Sequence, residues 1–217
     1  MKIVFISDTH SQHQNLQLPK LEVKDSESTM LIHTGDISTM GRESEVKDFL
    51  EWFEKQRFTY KIFIAGNHDF LFERNPSLAE SFIPSNCIYL NNSSVEIEGI
   101  KIWGSPITPR FFDWAFNCDR GEKIRKYWEQ IPNDTDILLT HGPAYGILDQ
   151  TTHGLLVGCE ELIKVIEKIK PKIHAFGHIH EAYGKVNNLD TTFINASVLD
   201  ISYKLVNKPF LIDWNEF

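Results

Sequence analysis

Donor, acceptor and titratable side chains follow one another at Asn67, His68 and Asp69, directly after the apolar run Ile62-Phe63-Ile64 and the turn-permitting Gly66. In open α/β sheets ligands collect outside the carboxyl ends of the strands, so polar residues where a strand stops are read first as functional. The competing reading is an Asx-type turn satisfying local backbone groups. Repetition separates the two. Four more apolar runs end the same way, in Asp8 and His10, in Gly35-Asp36, in His141, and in Gly177-His178-Ile179-His180. Sorted together, Asp8, His10, Asp36, Asn67, His141, His178 and His180 offer two carboxylates, one amide oxygen and four imidazoles. Mixed oxygen and nitrogen donors suit divalent zinc, manganese, iron, cobalt or nickel, whereas calcium wants oxygen alone. Seven ligands are too many for one ion, but with one carboxylate shared they fill two sites. Ion pairs roughly 3.5 to 4 Å apart are a recurring device for phosphoryl hydrolysis. His13, His33, His153 and His174 read as core or surface histidines, with His33 and His174 as candidates to brace the ligands from behind.

These residues need elements to hold them. Residues 2–6, 30–34 and 60–64 read as strands, and Val46, Phe49, Leu50 and Phe53 place an amphipathic helix over 43–56. Strand, helix, strand predicts a βαβ unit, which brings the carboxyl ends of the first three strands to one sheet edge. Residues 11–28 read as polar loop and 70–86 as one short helix between turns. Strands follow at 88–90, 95–97 and 100–103, the last two joined as a hairpin at Glu98-Gly99. The aromatic-rich stretch from Gly104 through Phe111, Phe112, Trp114 and Phe116 is expected to pack as a lid over the core, with Phe112, Trp114 and Asn117 as candidates for a pocket wall. A helix over 121–130, a strand at 136–140, a helix through Leu162 and Ile169 stopped at Pro171, and a strand at 173–176 continue the pattern. Residues 192–194 and 210–212 are expected to close a second sheet.

Composition bounds the partners. With 41% hydrophobic and 24% charged residues among 217, a compact chain forming one domain over 1–217 is expected. The formal net charge of -8 opposes broad binding to nucleic acid or to an anionic membrane, although metal ions can still bring phosphate to an acidic protein. Cys87, Cys118 and Cys159 are widely spaced, unpaired by any CxxC pattern and odd in number, so they read as free thiols. No run approaches bilayer-spanning length and none reads as a signal segment, and the expected compartment is the cytoplasm. Oligomeric state leaves no mark in the sequence.

Asp-x-His at Asp8 and His10, Gly-Asp at Asp36, Gly-Asn-His-Asp over 66–69, the strand-end His141, and Gly-His-x-His ending at His180 resemble, in this order, the calcineurin-like metallophosphoesterase family. Trp103-Gly-Ser-Pro-Ile-Thr-Pro with Asp113-Trp114-Ala115-Phe116, and Phe176 to Glu181 before Ile194-Asn-Ala-Ser197, are similar to its small metallophosphoesterase-domain-containing, cyclic-nucleotide-phosphodiesterase-like subgroup. The resemblance implies an α/β (α+β) fold, a four-layer sandwich of two mixed β-sheets flanked by helices. It implies that Asp8, His10 and His180 hold a first metal, that Asn67, His141 and His178 hold a second, and that Asp36 bridges them. His68 matches the catalytic histidine, with Asp69 expected to orient it. The implied cofactors are two divalent ions from manganese, iron, zinc, cobalt and nickel, manganese first. The implied reaction is hydrolysis of a small phosphodiester, cyclic nucleotides included, or of a phosphomonoester, by metal-activated hydroxide. A non-catalytic scaffold of the same fold and a nuclease are the alternatives.

Overall fold

The computed structural model describes residues 1–22 and 27–217; residues 23–26 of the expected loop lie outside the described residues. Strands β1 (Lys2–Ile6), β2 (Thr29–Thr34), β3 (Tyr60–Ile64) and β4 (Ile88–Tyr89) run parallel in a first sheet, with α1 (Glu43–Glu54) linking β2 to β3. The expected helix over 70–86 is two, α2 (Phe70–Arg74) and α3 (Pro76–Ser81). Pro76 divides them, because proline has no N–H to donate and holds Asn75 before it out of the helical region, at φ -143°.

A second sheet contains β5 (Ser93–Ile97), β6 (Ile100–Ser105), β9 (Ile137–Thr140), β10 (Ile173–Phe176), β11 (Gly184–Asn188) and β12 (Thr191–Asn195), in the order β11-β12-β10-β9-β6-β5. Between β6 and β9 come the short pair β7 (Thr108–Pro109) and β8 (Asn117–Cys118) and helix α4 (Glu122–Trp128), and α5 (Glu160–Ile169) precedes β10. Of the two segments expected to close this sheet, only β12 does so. The last strand, β13 (Phe210–Asp213), pairs antiparallel with β1 at the edge of the first sheet. There Ile212 lies opposite Ile3 and joins the core between the sheets. Hydrophobic alternation marks a strand's buried face but not its partner, so the sequence pattern left this choice open.

Alternation along the strands makes the layers. Ile3, Phe5, Ile32 and Ile64 of the first sheet meet Ile137, Leu139, Ile173 and Ile194 of the second in one buried cluster. Val4, Leu31 and Phe63 point the other way, where Phe63 lies against Phe49 and Phe53 of α1. On the far face Trp103 packs on Trp128 of α4, and Leu138 and Phe193 share a cluster with Leu162 and Ile166 of α5. The result is helix, sheet, sheet, helix. The carboxyl ends of β1, β2, β3, β9 and β10 meet where the two sheets face each other.

Candidate metal centre

Each candidate ligand sits on the first residues past a strand, where the chain bends sharply. Asp8 (φ 54°), His10 (φ 39°), Asp36 (φ 56°) and His178 (φ 69°) all occupy the left-handed region, sparsely populated outside glycine. Such conformations cost of order 1–3 kcal/mol each and persist where surrounding structure imposes them. Here cross-links between loops impose them. The Asp8 amide donates to the Gly35 carbonyl at 3.0 Å and the His10 amide to the Asp36 carbonyl at 3.0 Å. The Gly177 amide donates to the His141 carbonyl at 3.0 Å, and the His178 amide donates to both Asp8 carboxylate oxygens at 3.1 Å. The glycines beside the ligands are required by close approach. A Cβ on Gly35 would lie 2.5 Å from His141 Nδ1, one on Gly66 2.7 Å from His141 Cε1, and one on Gly177 would overlap the Asp8 carboxylate.

The seven side chains converge. His180 Nε2 lies 3.4 Å from Asp8 Oδ1 and 3.4 Å from His10 Nε2. His141 Nε2 lies 2.8 Å from Asn67 Oδ1 and 3.3 Å from Asp36 Oδ2, and His178 joins Asp36 and His141 in one group of potential ligand atoms. Asp36 Oδ2 is also 3.6 Å from His10 Nε2, so one carboxylate oxygen touches both groups. Ligands held about 2.0–2.2 Å from a common ion lie roughly 3–3.5 Å from one another, and these spacings match that. Two imidazole nitrogens, His10 Nε2 and His180 Nε2, face each other inside a buried site. At that separation a cation between them would take a lone pair from each nitrogen. The donors behind the ligands also fit. His141 Nδ1 donates to the Thr34 carbonyl at 3.0 Å and His180 Nδ1 to the Asp200 carbonyl at 3.1 Å, which leaves each Nε2 as the coordinating nitrogen.

Charge is balanced around the same point. Burial works against the Asp8 anion, yet the hydrogen bond and charge of His180 outweigh it and hold the carboxyl well below its usual range. Asp36 is depressed likewise, burial being overcome by His141, His10 and His68. Burial disfavours charge on His141 and His180 as well, but Asp36 and Asp8 respectively raise each ring to about 9. His10 and His178 go the other way, pulled down to about 4 chiefly by burial.

His33 and His174 brace the cluster from behind, one in each sheet. His33 accepts from the Gly35 amide at 3.2 Å and donates to Thr9 Oγ1 at 3.0 Å, gripping the residues that precede Asp36 and His10. His174 lies 2.8 Å from Thr140 Oγ1, which in turn donates to the Gly142 carbonyl at 2.7 Å beside His141. His13 pairs with Asp48 at 2.9 Å, away from the centre. His153 is exposed.

One expected role changes hands. Asp69 does not orient the ring of His68; the Thr39 carbonyl does, accepting from His68 Nδ1 at 2.7 Å. The Asp69 carboxylate is instead saturated by the amides of Gly66 (2.7 Å), Ser38 (3.0 Å) and Ile37 (3.2 Å) and by the Ser38 hydroxyl (2.5 Å). It therefore clamps the loop after β2 to the loop after β3. His68 Nε2 lies 4.0 Å from Asp36 Oδ2, and its ring packs on Trp114 with centroids 4.1 Å apart. Phe111 and Phe112 are 58% and 75% exposed, so of the expected lid it is Ile107, Ala115 and Phe116 that enter the core.

Sequence reasoning missed Tyr203, whose ring lies 4.9 Å from that of His10 and 5.3 Å from that of His180. It stands in a tight turn built on Asp200, far from any strand-end motif, and no spacing rule pointed to it. Asn195 was seen in its motif but without a role. It donates to the Ile179 carbonyl at 2.8 Å and so supports the turn between His178 and His180.

The family model described as calcineurin-like phosphoesterase matches residues 1–182. Metallophosphoesterase domain-containing protein 1 of Homo sapiens is 39% identical over 236 residues, covering 98% of this chain and 70% of that protein. A UPF0046 protein of Caenorhabditis elegans is 34% identical, over 97% of this chain and 74% of its own length. Among solved structures, TT1561 of Thermus thermophilus superposes with a TM-score of 0.56 at 14% identity, covering 98% of each chain. The Plasmodium protein GAP50, an anchor in the inner membrane complex, gives 0.54 at 12% identity, over 97% of this chain and 77% of its own. These two show likeness of fold alone.

Proposed function

The chain belongs to the calcineurin-like phosphoesterase family, which implies a metal-dependent phosphoester hydrolase, and from that premise we propose a dinuclear enzyme acting on small phosphoesters. One observation carries the dinuclear part: Asp36 Oδ2 lies 3.6 Å from His10 Nε2 and 3.3 Å from His141 Nε2, reaching two ligand groups at once. Asp8, His10 and His180 would hold one divalent ion, and Asn67, His141 and His178 the other. Manganese is our first choice of metal. When bound, such ions supply Lewis acidity and lower the pKa of a coordinated water toward neutrality.

The chain's own residues do the rest. The Thr39 carbonyl fixes the His68 ring through Nδ1, so Nε2 is the atom left to face the ester. There it would stabilise the phosphoryl oxygens or protonate the leaving oxygen, a contribution of about 10²- to 10⁴-fold for a well-placed acid. Trp114 covers one face of His68 and Tyr203 covers His10 and His180, which limits water around the reacting phosphorus.

A small phosphodiester, cyclic nucleotides among them, or a phosphomonoester is the substrate class we propose. The net charge of -8 argues against a polynucleotide. Free Cys87, Cys118 and Cys159 support a reducing compartment such as the cytoplasm, and no helix among the described residues is long and apolar enough to cross a membrane. The test is turnover of bis(p-nitrophenyl) phosphate by manganese-loaded protein, alongside His68→Ala. The wild type should hydrolyse the ester and lose activity to a chelator, while His68→Ala loses at least about 10²-fold with metal content unchanged. Metal-loaded wild type inert toward this and other esters would favour a scaffold. Metal lost from His68→Ala would make His68 a ligand, as its grouping with His10 and Asp36 also permits.

A further inference from the structure

Beside the metal centre lies a cavity of about 180 Å³ that the reaction as described does not use. Gly142 and His178 line it, Gly142 directly following His141, so it adjoins the second ligand group. Pro109, Phe111, Pro143 and Val157 give it apolar walls. Ligand pockets for drug-sized molecules begin at roughly 300 Å³, so this one holds a single ring system and not a chain of them.

Both walls are built to stay in place. Asn117 accepts from the Phe111 amide at 3.1 Å and donates to the carbonyls of Phe111 and Phe112 at 3.3 and 2.8 Å, bracing the turn that carries Phe111. The stretch that carries Val157 is tied by Arg120, which donates to the carbonyls of Val157 and Gly158 at 2.7 Å. A phenylalanine 58% exposed on a turn so firmly held is poorly explained by core packing. It is well explained by a ring-sized ligand that covers it. Arg110 stands at the same cavity, paired through Nε with Asp119 at 2.5 Å, and adds a cation beside the aromatic wall.

We propose that this slot is the subsite for the organic substituent of the ester, that it selects a planar aromatic group, and that Phe111 is its specificity-determining wall. The inference rests on the phosphoesterase reading above. With the phosphoryl oxygens at the ligand cluster, a substituent leaving the phosphorus on the His178 side enters the slot, and its ring packs against Phe111 among the apolar side chains that include Val157.

Phosphonates test this without turnover, because the carbon–phosphorus bond is not hydrolysed and the leaving group drops out of the comparison. Calorimetry on the manganese-loaded full chain should show phenylphosphonate binding about tenfold tighter than methylphosphonate and about threefold tighter than cyclohexylphosphonate. In Phe111→Ala the phenyl-to-methyl ratio should fall to about twofold or less, and Val157→Trp, which fills the slot with a larger side chain, should lower it too. Equal binding of the phosphonates to the wild type, or an unchanged ratio in both variants, overturns the assignment. Hydrolysis of bis(p-nitrophenyl) phosphate without phenyl preference overturns the slot alone. Failure of every phosphonate to bind, with no ester hydrolysed, overturns the phosphoesterase reading and the slot with it.

Discussion

His141 and His180 each hold a proton at neutral pH in the metal-free chain, because Asp36 and Asp8 raise their pKa values to about 9. On His141 that proton lies on Nε2, donated to Asn67 Oδ1 at 2.8 Å, in the position a cation would take. Metal binding must therefore expel it, and the same holds for His180. His10 and His178, at about 4, have none to give. Binding at pH 7 should release about two protons, and affinity should climb with pH and level off near 9. Calorimetric titration with manganese in buffers of different ionisation enthalpy reads this directly; enthalpies independent of buffer would contradict it. The sign for folding is separate. The raised imidazoles stabilise the metal-free fold fully below about 6.5 and cease to as pH rises through 9, while the depressed Asp8 and Asp36 stabilise it above about 4 and cease to as pH falls. With respect to these four groups alone the metal-free protein is most stable between about 4 and 6.5, while His10 and His178, lowered to about 4, destabilise it progressively as pH falls through the same window.

At the scale of elements, the strand-end loops were legible because each joins an apolar run to reactive side chains, a pattern that survives in one dimension. What the loops do to each other was not. Asp69 stands next to His68 in sequence, so an orienting contact was the natural expectation. In space the α2 entry carries its carboxylate back beneath Gly66, Ile37 and Ser38, and a carbonyl of the preceding loop reaches the His68 ring instead. Backbone partners of this kind have no sequence signature. Nor does β11, whose Gly-Lys-Val-Asn-Asn lacks alternation because it is an exposed edge strand. The Asp69 clamp gives a test. The amide introduced by Asp69→Asn presents one acceptor and an NH₂ to three amides and a hydroxyl, stranding buried donors at a cost of about 3 kcal/mol. The melting temperature should fall by roughly 6 to 12 °C, with metal content falling alongside as the two loops part. An unchanged melting temperature would show that the clamp carries no weight.

For the whole molecule, the ligands' separation along the chain is a consequence of how two sheets are stacked. One sheet delivers Asp8, His10, Asp36 and Asn67 and the other delivers His141, His178 and His180, so neither has a complete set. The inner cluster of Ile3, Phe5, Ile32 and Ile64 against Ile137, Leu139 and Ile173 fixes the distance between the two sets. Order and spacing of motifs revealed which side chains belong together; only the packed sheets reveal that a single oxygen of Asp36 reaches both halves. Diffraction from manganese-grown crystals, with the metals located by anomalous scattering, tests that most directly. It should reveal two ions about 3.5 to 4 Å apart with Asp36 ligating both. A single ion, or two ions with Asp36 bound to one or neither, would contradict the account.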